Sequence, residues 1–505
     1  MQYLYYDFNT NSILMSYTKR NSAKELMKGT RNMKKAIALI TSIISIFSLT
    51  SCSDKTSAKQ DTKVTQMRYE DKLFQTGKIN ELNIEIGETE WKELLENASE
   101  KKYSSCDITI NGEKLSKVGI RAKGGSSLDD VKAMGNSDRY SFMLKFDKYT
   151  DGQNYNGLTK LSLNNNLGDA TQMKDVIAYD MCRYIDLDAP LCNYVKIYLN
   201  NEYFGCYLAV EPVDNDFCER NYGDNKGSLY KPFHNLSYVG DNEEDYEGIT
   251  EDTVIEGDKD SLKKVIAALK SVDIGEDIEA HVDVDSVLKY LAIQTMTVNF
   301  DGLTGRNEHN YFLYENNGKI RLIPWDYNLS WGGYVDFGEE EMFYEEGLDG
   351  EELDESQWEA QWEEWYNNLS DEEKQKMQEA EEAALAAMPS MVVNLPVDTP
   401  FTCELSERSF FMKLLENNDY KVRYYSYLSK LASEYVKGGA FDNTVRAVMH
   451  EIGNITGTEK NAFFTNEEFM EGVSVLGQVI QRHSDSIIGQ ISGNIPSIRV
   501  IYWDL

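Results

Sequence analysis

Histidine is scarce in this 505-residue chain: His234, His281, His309, His450 and His483 are the only five, and they are scattered. No group of them has a ligand spacing, which argues against a zinc site. The seven cysteines (Cys52, Cys106, Cys182, Cys192, Cys206, Cys218 and Cys403) contain no C-x-x-C pair. The metal and redox signatures built on that pair are therefore absent. Cys182, Cys192 and Cys206 stand in apolar surroundings and read as small core residues rather than disulfide partners. Positive charge is also short, with 51 Lys and Arg against 85 Asp and Glu, a net charge of −34. Such a balance argues against general nucleic-acid binding, which needs cations in excess, and suits a basic peptide or protein partner. No calcium-loop repeat of the D-x-[DN]-x-[DN]-G type occurs. What is present is enough for a sizeable core, a hydrophobic fraction of 41%. The length allows two or three domains, or one large domain with insertions.

The apolar run 36–47 is too short to cross a bilayer. It follows Lys34 and Lys35 and ends in Leu49-Thr50-Ser51-Cys52, which resembles a bacterial lipoprotein signal with a lipidated cysteine. A short buried helix is the alternative reading. The signal implies a chain anchored through Cys52 on the extracytoplasmic face of a bacterial cell membrane. Residues 53–66, rich in Ser, Thr and Lys, then serve as the tether. Residues 1–32 look like no signal element, so Met33 is the expected start.

The most informative stretch is 299–328, NFDGLTGRNEHNYFLYENNGKIRLIPWDYN. An apolar run at helical spacing, 284–298, leads into it. Asp301 follows in a loop built from Gly302, Gly305 and Asn307. Asn310 then opens a hairpin, 311–314 and 320–323, whose turn is Asn316-Asn317-Gly318, and Asp326 lies just past its end. One carboxylate to orient a hydroxyl, with an Asn and a second carboxylate for Mg²⁺, is the equipment of kinase-like phosphoryl transfer. Spacing alone leaves open that Asp301 is a turn residue and Asp326 a strand-end cap.

Upstream, strands are expected near 83–86, 106–110, 118–121, 140–146 and 161–163, and helices at 89–97 and 171–184. The turn after 118–121 carries Arg121, Lys123, Ser126 and Ser127 among glycines, and can present cations and backbone N–H groups to a phosphate. A plain hairpin turn fits it equally. Lys145 is the one charge in the strand 140–146 and either snorkels to a sheet edge or meets a phosphate. The hairpin 194–199 and 203–210 ends in Glu211-Pro212, an exit that could join two lobes.

GIRAKGGSS, YSFMLKFDKY, LSLNNN, MKDVIAYDMCR, YVKIYLNNEYFGCYLAVEPVD, SLYKP, HNYFLY and PWDYN follow one another over residues 119–328. Together they resemble the CotH family, named for a spore coat protein and related to atypical protein kinases. The resemblance covers roughly 82–328 and helical segments after Phe401. It implies an α+β, two-lobed, atypical kinase-like fold with a helical C-terminal lobe. The implied activity is transfer of phosphate from ATP to Ser or Thr of a protein, with Mg²⁺ (or Mn²⁺); the acidic charge balance adds that basic Ser/Thr-rich segments would suit it as substrate. By the same resemblance Asp301 is the catalytic aspartate, and Asn310 and Asp326 hold the metal. Arg121, Lys123, Ser126 and Ser127 face the phosphates, Lys145 takes the strand-lysine role, and Glu211 contacts adenine from the inter-lobe hinge.

Two departures qualify that reading. Many family members have Met-Arg-Glu where this chain has Met173-Lys174-Asp175. An aspartate anchoring the phosphate-binding lysine is one methylene short. The second departure is an acidic helical insertion, about 335–396, dividing the core 67–334 from a helical part 397–505. Between 336 and 382 stand 20 Asp or Glu against Lys374 and Lys376, so about 18 of the 34 excess charges lie there. Trp358, Trp362, Trp365 and Tyr366 fall near one face of a helix expected at 357–387, either a solvated excursion or a docking arm for cationic segments. Extracytoplasmic ATP is scarce, so a non-catalytic surface scaffold with the same fold is the rival reading. A glycosidase using Asp301 and Asp326 as paired carboxylates ranks third.

Overall fold

The computed structural model describes residues 67–135, 137–223, 226–233, 236–334, 370, 391–402 and 408–497. The signal and tether, Cys52, the tryptophans of the acidic stretch and the terminal run 498–502 lie outside the described residues.

The helix α1 (Arg68–Leu73) leads into β1 (Asn80–Glu85), and α2 (Glu88–Glu96) follows. The hairpin β2 (Ser104–Ile110) and β3 (Glu113–Lys123) delivers α3 (Ser126–Ala133), then β4 (Ser141–Lys145) and β5 (Lys160–Asn164). After α4 (Lys174–Tyr184) comes a second hairpin, β6 (Cys192–Leu199) and β7 (Glu202–Val210). These strands close in the order β1-β2-β3-β4-β5-β7-β6, with β6 returning parallel to β1 in the register Leu82↔Ile197. Alternation explains the closure. Ile108, Ile110, Ile120, Ala122, Phe142, Leu144, Leu161 and Leu163 are buried inside, while their neighbours point outward. The hairpin turns hold their residues at positive φ, Asn111 and Gly112 (49°, 86°) and Asn200 and Asn201 (50°, 70°), the geometry that suits the strand twist. The sequence reading is right in α+β class, but strand periodicity cannot distinguish an open sheet from this closed barrel.

Downstream of β7 come α5 (Asn215–Tyr222), β8 (Ser228–Tyr230), β9 (Thr253–Ile255), α6 (Ser261–Ile274) and α7 (Val284–Thr297). The expected hairpin is β10 (Tyr311–Asn316) and β11 (Lys319–Pro324), and it joins a four-stranded sheet in the order β11-β10-β8-β9. The described residues after 408 contain α8 (Ser409–Glu416), α9 (Asn418–Ser429), α10 (Ala440–Ile452) and α11 (Asn466–Ile491). A π-helical stretch, Lys430–Val436, continues α9. Nearly every side of α7 is buried, Gln294, Thr295 and Thr297 included, which explains why its apolar run is almost unbroken.

Two large cores result, one inside the barrel and one among α4, α6, α7 and α8–α11 with the inner face of β10 and β11. The helix α4 bridges them, because Tyr194, Leu208 and Val210 on the outer face of β6 and β7 belong to the second core. A buried ion pair, Arg139 to Glu459 at 3.7 Å, ties the barrel to the segment before α11. Both partners are also bonded to the backbone of Cys206.

Candidate active site

The β10–β11 register builds the site. Tyr311 pairs with Pro324, so the residues just outside the pair, Asn310 and Trp325, face each other, and Asp326 is one step further. Asn310 and Asp326 both hold left-handed backbone, φ 59° and 60°, a conformation that Asn and Asp tolerate better than other residues with a β-carbon. The loop with Asp301 leaves α7 through Val298, itself left-handed at φ 48°, a costly geometry for a β-branched residue. Asp301, Asn310 and Asp326 therefore converge where α7 ends and the hairpin closes.

Asp301 is 8% exposed. Asn310 Nδ2 donates to its Oδ2 at 2.7 Å and to its backbone carbonyl at 2.8 Å. Asn307 Nδ2 donates to its Oδ1 at 2.8 Å, and His309 Nε2 lies 3.5 Å from the same oxygen. Burial pushes the Asp301 carboxyl up to about 6; His309 and the two amides oppose the rise, and the charge of Asp326 adds to it. A carboxylate so restrained is aimed rather than mobile.

Across from these residues stands Lys123, at the end of β3. Its ammonium donates to Asn164 Oδ1 at 2.6 Å and lies 5.9 Å from the Trp325 ring centre. Burial pulls its pKa down to about 8, with Asp326 and Asp175 partly restoring it. Asp175, in the first turn of α4, accepts from the Tyr327 N–H at 2.6 Å, and Asp326 N–H meets the Tyr179 hydroxyl at 3.2 Å. Burial, then the charge of Asp326, raises the Asp175 carboxyl to about 7. Asn164 takes the lysine directly, where the short side chain of Asp175 acts on it from a distance.

The structure does not bring Lys145 into this cluster. It pairs with Gly119 across β3, four residues along the strand from Lys123, and its ammonium lies 3.9 Å from Asp147. The lysine beside the aspartates is Lys123. Glu211 stands at the end of β7, but its carboxylate is fully buried and committed to other partners. It accepts from Tyr69 at 2.6 Å, from Arg220 at 2.9 and 2.6 Å, and from the Leu191 N–H at 3.0 Å. Its own N–H donates to the Leu191 carbonyl. Its side chain is a structural anchor and has no capacity left for a base. Ser126 and Ser127 open α3, and Arg121 lies over the Tyr103 ring while donating to the Ala122 carbonyl at 2.9 Å.

Sequence reasoning missed four contributors. Asn164 ends β5 within LSLNNN and Asn307 lies in the glycine loop after Asp301, but neither pattern signals the contact its side chain makes. His309 is held by the Asn307 carbonyl at 2.8 Å and stacks on Phe233. Lys231 follows β8, and its charge reaches Lys123. The SLYKP motif contained it without signalling its direction.

Among the described residues no group of three or more His, Cys, Asp or Glu is arranged to hold a metal ion. A Mg²⁺ site does not require one, since that ion is usually held by one or two carboxylates with phosphate oxygens and water. Hard oxygen donors from Asn310 and Asp326 fit it.

Fold and site together describe an α+β protein in which a barrel-strand lysine faces a carboxylate and amide cluster on a helix–loop–hairpin unit. The sequence places it further. The profile described as CotH kinase protein matches residues 120–487, and the chain belongs to that family. It is 28% identical over 192 residues to the inner spore coat protein H of Bacillus subtilis, covering 35% of this chain and 51% of that protein. Over 286 residues it is 20% identical to Invasin CotH7 of Rhizopus delemar, covering 53% of this chain and 44% of that protein. The chain thus spans about half the length of the curated relatives it matches.

Proposed function

We propose that this CotH-family protein is an atypical Ser/Thr protein kinase, using Mg²⁺ (or Mn²⁺) and ATP, two-lobed in the manner of kinases. The observation that carries the reading is the convergence of Asp301, Asn310 and Asp326 opposite Lys123. Asn310 and Asp326 would hold the metal, and Lys123, with Lys231 nearby, would hold the phosphates. The ion's part is to neutralise charge on the transferring group. Asp301 accepts a hydrogen bond from the acceptor hydroxyl, aims that oxygen at the γ-phosphorus and takes its proton as the bond to the β,γ-bridging oxygen breaks and ADP leaves. With a pKa near 6, Asp301 is mostly ionised at neutral pH, so turnover falls as pH drops through that value.

Lipidated Cys52 would hold the enzyme at the extracytoplasmic membrane face, with a protein bearing basic Ser/Thr-rich segments as substrate. A second reading, a surface-binding protein without turnover, draws on the name of one relative, an invasin.

The test is thermal unfolding of residues 66–505 with Mg²⁺, with ATP and with both, followed by phosphate incorporation into a basic protein. A ligand that binds only the folded state raises the midpoint. The kinase reading expects a rise with both ligands together, lost in Asp326→Ala, and incorporation lost in Asp301→Asn. No shift at millimolar ATP favours the scaffold, and incorporation by Asp301→Asn at the wild-type rate overturns the mechanism.

A further inference from the structure

The limb that leaves Asp326 turns back onto the loop that carries Asp301. The Tyr327 carbonyl accepts from the Ser330 N–H at 3.0 Å. Trp331, left-handed at φ 52°, then grips the end of α7 twice. Its N–H donates to the Thr297 carbonyl at 2.8 Å and its indole N–H to the Met296 carbonyl at 3.1 Å. This fixes the course of the chain, and three residues later the Tyr334 hydroxyl donates to Asn307 Oδ1 at 3.2 Å. The other end of the same amide, Asn307 Nδ2, donates to Asp301 Oδ1 at 2.8 Å.

A primary amide has one accepting and one donating end. With the hydroxyl on its oxygen and the carboxylate on its nitrogen, the Asn307 side chain has one satisfactory orientation. Turned over, it would set its oxygen against the Asp301 carboxylate. Asn310 secures the other carboxylate oxygen at 2.7 Å. Two amides therefore fix the plane of Asp301, and one of them is set by a residue eight positions past Asp326.

We infer that Tyr334 is a positioning residue for Asp301, acting through Asn307, so that the limb carrying Asp326 also sets the direction of the acceptor-orienting carboxylate. The inference rests on the phosphotransfer reading above. Loss of the Tyr334 hydroxyl frees the accepting end of Asn307 and loosens Asp301, while Asn310, Asp326 and Lys123 keep their contacts. The effect belongs in kcat and not in the KM for ATP.

The experiment is steady-state phosphate incorporation by wild type, Tyr334→Phe, Asn307→Ala and the double variant, with unfolding midpoints for all four. One neutral hydrogen bond sets the scale, so Tyr334→Phe is expected to lower kcat about two- to tenfold with the KM for ATP and the midpoint unchanged. Asn307→Ala lowers kcat further, and Tyr334→Phe has no added effect in that background, because both variants break one chain of contacts. Wild-type kcat in Tyr334→Phe, or an equal loss in both backgrounds, overturns the assignment alone. No incorporation by the wild-type protein overturns the phosphotransfer reading and this assignment with it.

Discussion

Asp175→Asn is expected to stabilise the unliganded protein at alkaline pH while weakening its hold on Mg²⁺ and ATP. Asp175 is buried at the start of α4, and burial together with Asp326 raises its pKa from 3.8 to about 7. Between those two values the folded state keeps a proton that the unfolded chain has released. Stability conferred by the protonated form is therefore lost as pH rises through the window from 3.8 to about 7. At about 1.4 kcal/mol per unit, ionising Asp175 in place costs on the order of 4 kcal/mol above pH 7. Between pH 5 and 8 alone the loss is about 2–3 kcal/mol. An asparagine keeps an oxygen for the Tyr327 N–H, bonded at 2.6 Å in the wild type, and carries no charge to bury. Urea unfolding at pH 5 and pH 8 reads the difference directly. Relative to the variant, the wild type should lose about 2–3 kcal/mol over that interval. Asp301 and Asp216, both raised to about 6 by burial, tilt both proteins alike and cancel. The cost appears at Lys123, which loses a compensating charge, so protection by Mg²⁺ with ATP should shrink in the variant. Parallel pH dependences in the two proteins would refute the reasoning.

Two further outcomes test the assignments. Lys123→Met should lower phosphate incorporation about 100-fold or more, the scale of a preorganised charged contact, whereas Lys145→Met should stay within about twofold; the reverse order would restore Lys145 to the site. Arg408 is buried and donates to the Gly305 carbonyl and to Glu308 Oε1, the latter at 2.8 Å. Arg408→Met should cost about 3 kcal/mol in urea unfolding, and a loss below about 1 kcal/mol would show that the 301–310 loop is held by other contacts.

What the sequence disclosed followed from local pattern. The hairpins expected at 194–210 and 311–323 both form, with left-handed residues at Asn200 and Asn201 and at Asn317 and Gly318. The stretch 299–328 announces helix, loop and hairpin because each has its own periodicity, and the β10–β11 register then fixes where Asn310 and Asp326 meet. Contributions from distant strands were not legible. Lys123 and Lys145 both sit on barrel strands with outward side chains, and only the β3–β4 register, Gly119 opposite Lys145 and Lys123 opposite Ser141, determines which lies at the aspartate end. The partners of Glu211 were hidden for the same reason. Its place at the end of a hairpin suggested a hinge, while Tyr69 and Arg220, which occupy its carboxylate, come from 142 and 9 residues away. The strands β8 and β9 have three residues each, too few for any periodicity. Barrel closure depends on a pairing between the first strand and the sixth, which no local pattern encodes.

That pairing governs the order in which the molecule can be made. Leu82 finds its partner only when Ile197 has emerged, 115 residues later. Until then a nascent chain carries β1 as an open edge, with half of its ladder unsatisfied and the apolar faces of β2 to β5 uncovered. The entropic cost of joining ends so far apart, roughly 4 kcal/mol from (3/2)RT ln n, must be met before the barrel interior seals. The N-terminal half is therefore expected to fold slowly for its size, and to depend on chaperoning more than the locally paired hairpin β10–β11.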